Sequence, residues 1–291
     1  MSPAAPAGGA LRLGTRGSPL ALRQAELVAQ AIGTPVQTVV IATGGDRGEG
    51  SDKGRWVDTI EAALLAGEVD LAVHSAKDVP GELAEGLELA GAPAREDPRD
   101  ALCGASSLAA LAIGARVGTS SLRRAAQLRV LREDLEVLEL HGNIDTRLRR
   151  LQDGDFDAIV LAAAGLRRLG RDGWSAVDEL VPAPGQGTLA LEARAGDARV
   201  AAAIAAMRDA GTERALAAER ALVTRLGAGC HTPVGAFARD DGNGGTRLSA
   251  FVGAPDGSYW IRDEQHGEDP VALGEGVAQR LLAAGAGELL E

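Results

Sequence analysis

The chain alternates short apolar runs with amphipathic stretches of helical period, separated by polar breaks. Leu11, Leu13 and their neighbours predict a strand over 11–15. Ser18 followed by Pro19 reads as a helix start, an N-cap with proline at the first helical position. Leu22, Ala25, Leu27 and Val28 then give a helix over 19–31 one apolar face. A strand at 36–42, a helix at 56–65 and a strand at 69–74 follow. In the last of these Val69, Leu71 and Val73 alternate with Asp70, Ala72 and His74. A strand at 87–90 completes this set. A strand–loop–helix unit begins at Ala115. Beyond it come a strand at 135–140, a helix opening at Arg147, a strand at 156–162, a short helix at 164–169 and a strand at 189–192. Helices at 200–207 and 212–225 lead to strands at 234–239, 248–252 and 260–263. Pro255-Asp256-Gly257 turns between the last two, and a helix at 271–282 ends the chain.

Two proline-rich passages interrupt the alternation. Residues 93–100 carry Pro93 and Pro98 among charges, and 180–187 reads Leu-Val-Pro-Ala-Pro-Gly-Gln-Gly. They are read as crossovers between two α/β lobes, which implies a hinge and a cleft. The expected fold class is α/β: two hinged doubly wound domains and a small α+β C-terminal domain. The expected limits are 10–93 with 188–206, then 98–182, then 212–291.

Composition narrows the function. A length of 291 residues accommodates two or three cores. Aromatics make up only 2%, so those cores must be built from Leu, Val, Ile and Ala. A net charge of −11 argues against a general nucleic-acid or membrane-surface binder. No run approaches the ~20 apolar residues that span a bilayer. The stretch 1–10 lacks the charged and apolar regions of a signal peptide and reads as a disordered tail. Cys103 and Cys230 form no C-x-x-C, which favours a reducing, cytoplasmic setting over a disulfide framework. No metal site is expected.

Candidate chemistry gathers at strand ends. Pro80 cannot continue a ladder, so Ser75, Lys77 and Asp78 should emerge at the C-terminal end of the 69–74 strand, where open α/β sheets bind ligands. Only Lys53 and Lys77 of the 30 basic residues are lysines, a hint that a compact point charge matters there. Arg16 and Ser18 lie at a helix N-terminus, which favours anions. Thr119, Ser120 and Ser121 precede Arg123 and Arg124 in a first helical turn, where cations oppose the dipole unless an anion offsets them. From Arg116 to Arg150 eight arginines face five acidic residues, a local excess that suits a polycarboxylate or phosphate. Residues 44–53 are Gly-, Asp- and Ser-rich and read as a mobile loop. Cys230 lies on a glycine-flanked loop. A single cysteine of this kind is most often inert by itself.

Six stretches occur together in order: Arg16-Gly17-Ser18-Pro19-Leu20-Ala21-Leu22, Val73-His74-Ser75-Ala76-Lys77-Asp78-Val79-Pro80, Gly118-Thr119-Ser120-Ser121-Leu122-Arg123-Arg124, Gly142-Asn143-Ile144-Asp145-Thr146-Arg147-Leu148, Pro184-Gly185-Gln186-Gly187, and Gly229-Cys230 ahead of Thr232-Pro233-Val234-Gly235. With these the chain resembles the porphobilinogen deaminase (hydroxymethylbilane synthase) family over nearly its whole length. The resemblance implies two domains hinged like type II periplasmic binding proteins and a third, smaller one. It implies polymerisation of four porphobilinogen units into hydroxymethylbilane, in tetrapyrrole biosynthesis, on a dipyrromethane cofactor joined covalently to Cys230. Asp78 matches the catalytic aspartate. Ser75, Lys77, Thr119, Ser121, Arg123, Arg124 and His141 match cofactor-binding positions. Arg16, Ser18, Gln24, Lys53 and Arg147 are the expected substrate contacts.

The porphobilinogen ring carries an acetate, a propionate and an aminomethyl arm, so cations and hydroxyls suit its carboxylates. A fixed carboxylate would stabilise the cationic methylenepyrrolenine left when ammonia departs and could move protons. The expected partners are porphobilinogen and the growing chain, with no nucleic acid or membrane, and the protein is expected to be a monomer. Two departures stand out. His141 occupies a position that is usually arginine, losing a fixed charge and fork, and the 44–54 loop is short. They leave open a paralogue with another product length, or a non-catalytic anion binder on the same scaffold. The joint presence of Asp78 and Cys230 argues against the binder.

Overall fold

A computed structural model of the chain describes residues 9–44, 57–228 and 232–290. Most of the expected N-terminal tail, nearly all of the 44–54 loop with Lys53, and Trp56 lie outside the described residues, as does Cys230.

In chain order the first set is β1 (Leu11–Thr15), α1 (Pro19–Ile32), β2 (Val36–Val40), α2 (Asp58–Leu65), β3 (Leu71–Ser75) and β4 (Leu87–Gly91). A second set comprises β5 (Asp100–Cys103), β6 (Arg116–Gly118), α3 (Leu122–Leu131), β7 (Glu136–Leu138), α4 (Ile144–Gln152), β8 (Ala158–Ala162), α5 (Ala163–Arg168) and β9 (Trp174–Val177). The chain then forms β10 (Leu189–Arg194), α6 (Ala198–Ile204), α7 (Ala210–Leu226), β11 (Val234–Asp240), β12 (Thr246–Gly253), β13 (Trp260–Gly267) and α8 (Pro270–Ala283).

Three sheets organise these elements. The first runs β2-β1-β3-β10-β4, with β1 parallel to both neighbours and β10 antiparallel between β3 and β4. The second runs β7-β6-β8-β5-β9, with β5 antiparallel to β8 and β9. The third is the antiparallel ladder β11-β12-β13. Each sheet in the first two sets is buried on both faces, as crossover helices require. Leu13, Val28, Leu71, Leu191 and Ile204 fill one side of the first sheet; Ile60, Leu64, Val69, Ala72 and Leu87 fill the other. Val117, Leu128 and Val160 oppose Leu140, Phe156 and Ile159 across the second. Helices α7 and α8 cover the third through Leu222, Leu248, Val277 and Leu281. The fold is α/β, two sheet-and-helix layers with a smaller α+β unit. No helix among the described residues is long and apolar enough to cross a membrane.

Two strands escape the hydrophobic pattern. The charged passage at 93–100 ends in the buried strand β5, whose three apolar residues are too few to show a period. Strand β9 lies at a sheet edge. Helix α4 begins three residues before Arg147, because the Asn143 side chain accepts from the Thr146 N–H and caps it there. Strand β13 runs on to Gly267 with alternating exposure, Arg262, Glu264 and His266 following Trp260 on its outward face.

The crossovers pass side by side. Glu96 N–H donates to the Gly187 carbonyl at 3.2 Å. Gly185 (φ +73°) and Gly187 (φ +90°) hold left-handed conformations that glycine adopts readily. A Cβ at Gly187 would collide with the Glu96 carbonyl, and one at Gly185 would lie 2.9 Å from Ala76 Cβ. The two crossovers meet α7 at Glu219. This fully buried carboxylate accepts from Arg95 Nη1 (2.6 Å), Gly185 N–H (2.6 Å) and Ala238 N–H (2.8 Å).

Candidate active site

Strand β3 delivers Ser75 to its C-terminal end, and a single 3-10 turn, Ala76–Asp78, follows. Ala76 N–H is tied to the Thr188 carbonyl at 3.0 Å, so the second crossover braces this turn. Arg16, Ser18, Gln24, His74, Ser75 and Asp78 line one small cavity of about 60 Å³, with Val57 in its wall. Ser18 caps α1, accepting from Ala21 N–H at 3.2 Å. Gln24, buried on the next turn, donates to Ser75 Oγ at 2.9 Å. The structure thus brings the two earliest sequence stretches together around Asp78.

Lys77 lies on the same turn. Burial pushes its ammonium down to about 8; Asp78 and Asp100 oppose that, while Arg124 and Arg123 add to it. Thr119 is buried, and its hydroxyl accepts from Ser121 N–H at 3.2 Å. Ser121 caps α3. Arg147 donates to the Gly142 carbonyl (2.7 Å) and to Ser120 Oγ (3.1 Å). Desolvation, then the Arg124 charge, lowers Arg147 to about 10. Lys77, Arg123, Arg124 and Arg147 are therefore cations gathered in one region, Arg123 and Arg124 buried and Lys77 and Arg147 half-buried.

Part of their compensation comes from the protein. Arg123 Nη1 and Arg124 Nε donate to Asp100 at 2.7 and 2.9 Å, and Gln186 Nε2 adds a third donor at 2.9 Å. Burial alone would raise Asp100; the two guanidinium charges outweigh it and hold the carboxyl well below the usual range. The anion expected opposite Arg123 and Arg124 is thus supplied in part by β5. Arg123 Nε stays buried without a partner among the described residues.

His141 stands apart. Its side chain is 73% exposed and faces Glu139 at 3.2 Å, away from the cavity lining. Arg150, on the helix that follows, is paired with Asp155 and stacked over Phe156. Lys53 and Cys230 lie outside the described residues.

Four further residues belong to this region. Ser120 anchors Arg147, and Asp100 and Gln186 order the arginine pair. Arg168, lowered to about 10 by desolvation, donates to the Gly187 carbonyl at 2.6 Å, while its own carbonyl accepts from Arg23 across the two lobes. Ser120 was visible in the Thr-Ser-Ser run and Gln186 in the Pro-Gly-Gln-Gly stretch; Asp100 and Arg168 carry no local signal, because their partners are distant in sequence.

The profile for "Porphobilinogen deaminase, dipyromethane cofactor binding domain" matches residues 11–202, and that for "Porphobilinogen deaminase, C-terminal domain" matches 214–283. The chain belongs to the porphobilinogen deaminase family. The porphobilinogen deaminase of Roseiflexus sp. (strain RS-1) is 48% identical, with 96% of this chain and 98% of that protein covered. That of Rubrobacter xylanophilus is 47% identical, with 97% of each covered. Among solved structures, the methionine binding protein MetQ is similar at 16% identity and a TM-score of 0.45, covering 70% of this chain and 91% of that one. The region that carries Asp78, Lys77 and the arginine cluster is therefore the cofactor-binding part of a porphobilinogen deaminase family member.

Proposed function

We propose that the chain joins four porphobilinogen units into linear hydroxymethylbilane with loss of ammonia, as a monomeric cytoplasmic enzyme primed by a dipyrromethane on Cys230. The observation that carries this reading is the gathering of Lys77, Arg123, Arg124 and Arg147, with Lys77 on the same turn as the cavity carboxylate Asp78. Like charges out of water repel, and ligand carboxylates relieve that repulsion. The residues fit a group with acetate and propionate arms: Arg123 Nε is a buried donor without a partner among the described residues, with the Thr119 and Ser121 hydroxyls on the same segment. Lys77, Arg123, Arg124, Ser75, Thr119 and Ser121 would hold the primer. When bound, it supplies the free α-carbon that starts the chain.

Arg16, Ser18, Gln24 and Arg147 orient the incoming substrate. With its aminomethyl nitrogen protonated, the C–N bond breaks, the electron pair leaves with ammonia, and the ring becomes a methylenepyrrolenine cation. Asp78 stabilises that cation and holds a proton in transit. The domain limits 10–93 with 188–206, 98–182 and 212–291 set this chemistry between the first two domains.

The test is intact mass before and after porphobilinogen. The expected result is one dipyrromethane above the sequence mass, absent in Cys230→Ser, with heavier species after substrate. Asp78→Asn should keep the added mass and lose turnover by about 10²–10⁴-fold, the range of acid–base assistance. A bare mass unchanged by porphobilinogen or preformed hydroxymethylbilane would refute the reading.

A further inference from the structure

Behind the cavity lies a buried cluster with no part in the chemistry above. Glu192 on β10 and His74 on β3 are diagonal neighbours on one sheet face, since Ala190 is opposite His74 and Glu192 is opposite Ala72. His74 Nε2 lies 2.9 Å from Glu192 Oε2. Glu61 reaches the same point from α2, with its carboxyl against that of Glu192. Glu192 is fully buried, Glu61 is 8% exposed and His74 5%. Neither Glu192 oxygen, nor Glu61 Oε1, has a well-aligned donor among the described residues.

Among the described residues, the groups that face the pair include His74, already placed against Glu192. Asp58 adds a negative charge from α2, and the Ala84 N–H donates to Glu61. Arg220 on α7 supplies one positive charge toward Glu192. Two ionised carboxylates would leave this region with an uncompensated buried charge. One proton between them removes one of the buried negative charges, leaving Arg220 opposite the other, and provides a hydrogen bond between the two carboxyls. Desolvation first, and the Glu192 charge second, push Glu61 up to about 7.

Position links the cluster to the site. Helix α2 is only eight residues long, held by Ile60, Ala63 and Leu64. Val57, immediately before it, is a wall of the cavity that contains Asp78, and His74 is another. We propose that Glu61 shares a proton with Glu192 beneath His74, and that this pair positions α2 against β3 and β10 so that losing the proton loosens the cavity wall at alkaline pH. Glu61, Glu192 and His74 are then positioning residues. The consequence for catalysis rests on the proposed function; the shared proton does not.

The sign follows from the raised Glu61 value. The unfolded chain ionises Glu61 near its ordinary value, so its contribution to stability is full below that and is lost as pH rises to about 7. Glu61→Gln keeps a donor to Glu192 and cannot lose it. In the full-length, primed protein, the melting-temperature advantage of Glu61→Gln over wild type should therefore widen from pH 5 to pH ~8. Its alkaline decline in porphobilinogen turnover should begin at higher pH than that of wild type. Wild type should also show a protonated-carboxyl infrared band at pH ~6 that fades by pH ~9 and is missing in Glu61→Gln. Parallel melting temperatures across pH, or a wild-type band absent at pH ~6, overturns the proposal. If Glu61→Gln does not fold, the wild-type band alone decides. A wild type without turnover at any pH would refute the enzyme reading, while the melting and infrared comparisons would still judge the cluster.

Discussion

Three donors converge on one carboxylate at Asp100, and the site's arginines take their places from it. Removing that charge in Asp100→Asn leaves Arg123 and Arg124 buried beside Lys77 with less compensation. The expected loss is about 3–5 kcal/mol, the range for breaking a buried pair, read from urea unfolding. Asp100's stabilising contribution is present above the unfolded carboxylate value and lost only as pH falls through its much lower folded value. Acid unfolding of the wild type should therefore begin at other carboxylates. At this scale the sequence was half legible. Cations in a first helical turn signalled a missing anion, but a protein carboxylate and a ligand leave the same signal. His141 was legible as a departure, yet its exposure depends on how Leu140 is buried and Gly142 turns, which composition does not reveal.

Local chemistry fixes the elements more firmly. Ser18, Ser121 and Asn143 each accept a backbone N–H at a helix start, and two of these caps were readable from residue type and a following proline or arginine run. Strand β5 was hidden because only three apolar residues follow the charged crossover, and its burial comes from β8 and β9 on either side. The 3-10 turn that bears Asp78 is set from outside by Gly185. In Gly185→Ala the new Cβ would face a left-handed backbone and lie 2.9 Å from Ala76 Cβ. The expected cost is about 2 kcal/mol or slightly more. The turn must shift to relieve it, so kcat should fall more than the loss of folded protein explains. Equal losses in folded fraction and turnover would argue against the brace.

Across the whole molecule, Glu219 joins parts that no local pattern connects. Arg95 comes from one crossover, Gly185 from the other and Ala238 from the third sheet, all bonded to one side chain on α7. Glu219→Ala should cost about 3–5 kcal/mol and separate unfolding of the third sheet from the rest, seen as non-coincident transitions by two probes. A single unchanged transition would show that the junction holds without it. The prolines made both crossovers legible in the sequence, but the residue that clasps them looks like any other glutamate on an amphipathic helix. The position of β10 has a consequence for how the protein is born. Strands β3 and β4 never pair with each other; they are zipped together only by a strand ending at residue 194 of 291. A ribosome delivers residues at roughly 5–20 per second, so the nascent N-terminal lobe waits many seconds with a gap in its sheet. The turn bearing Asp78 takes its seat only after the second lobe has been made.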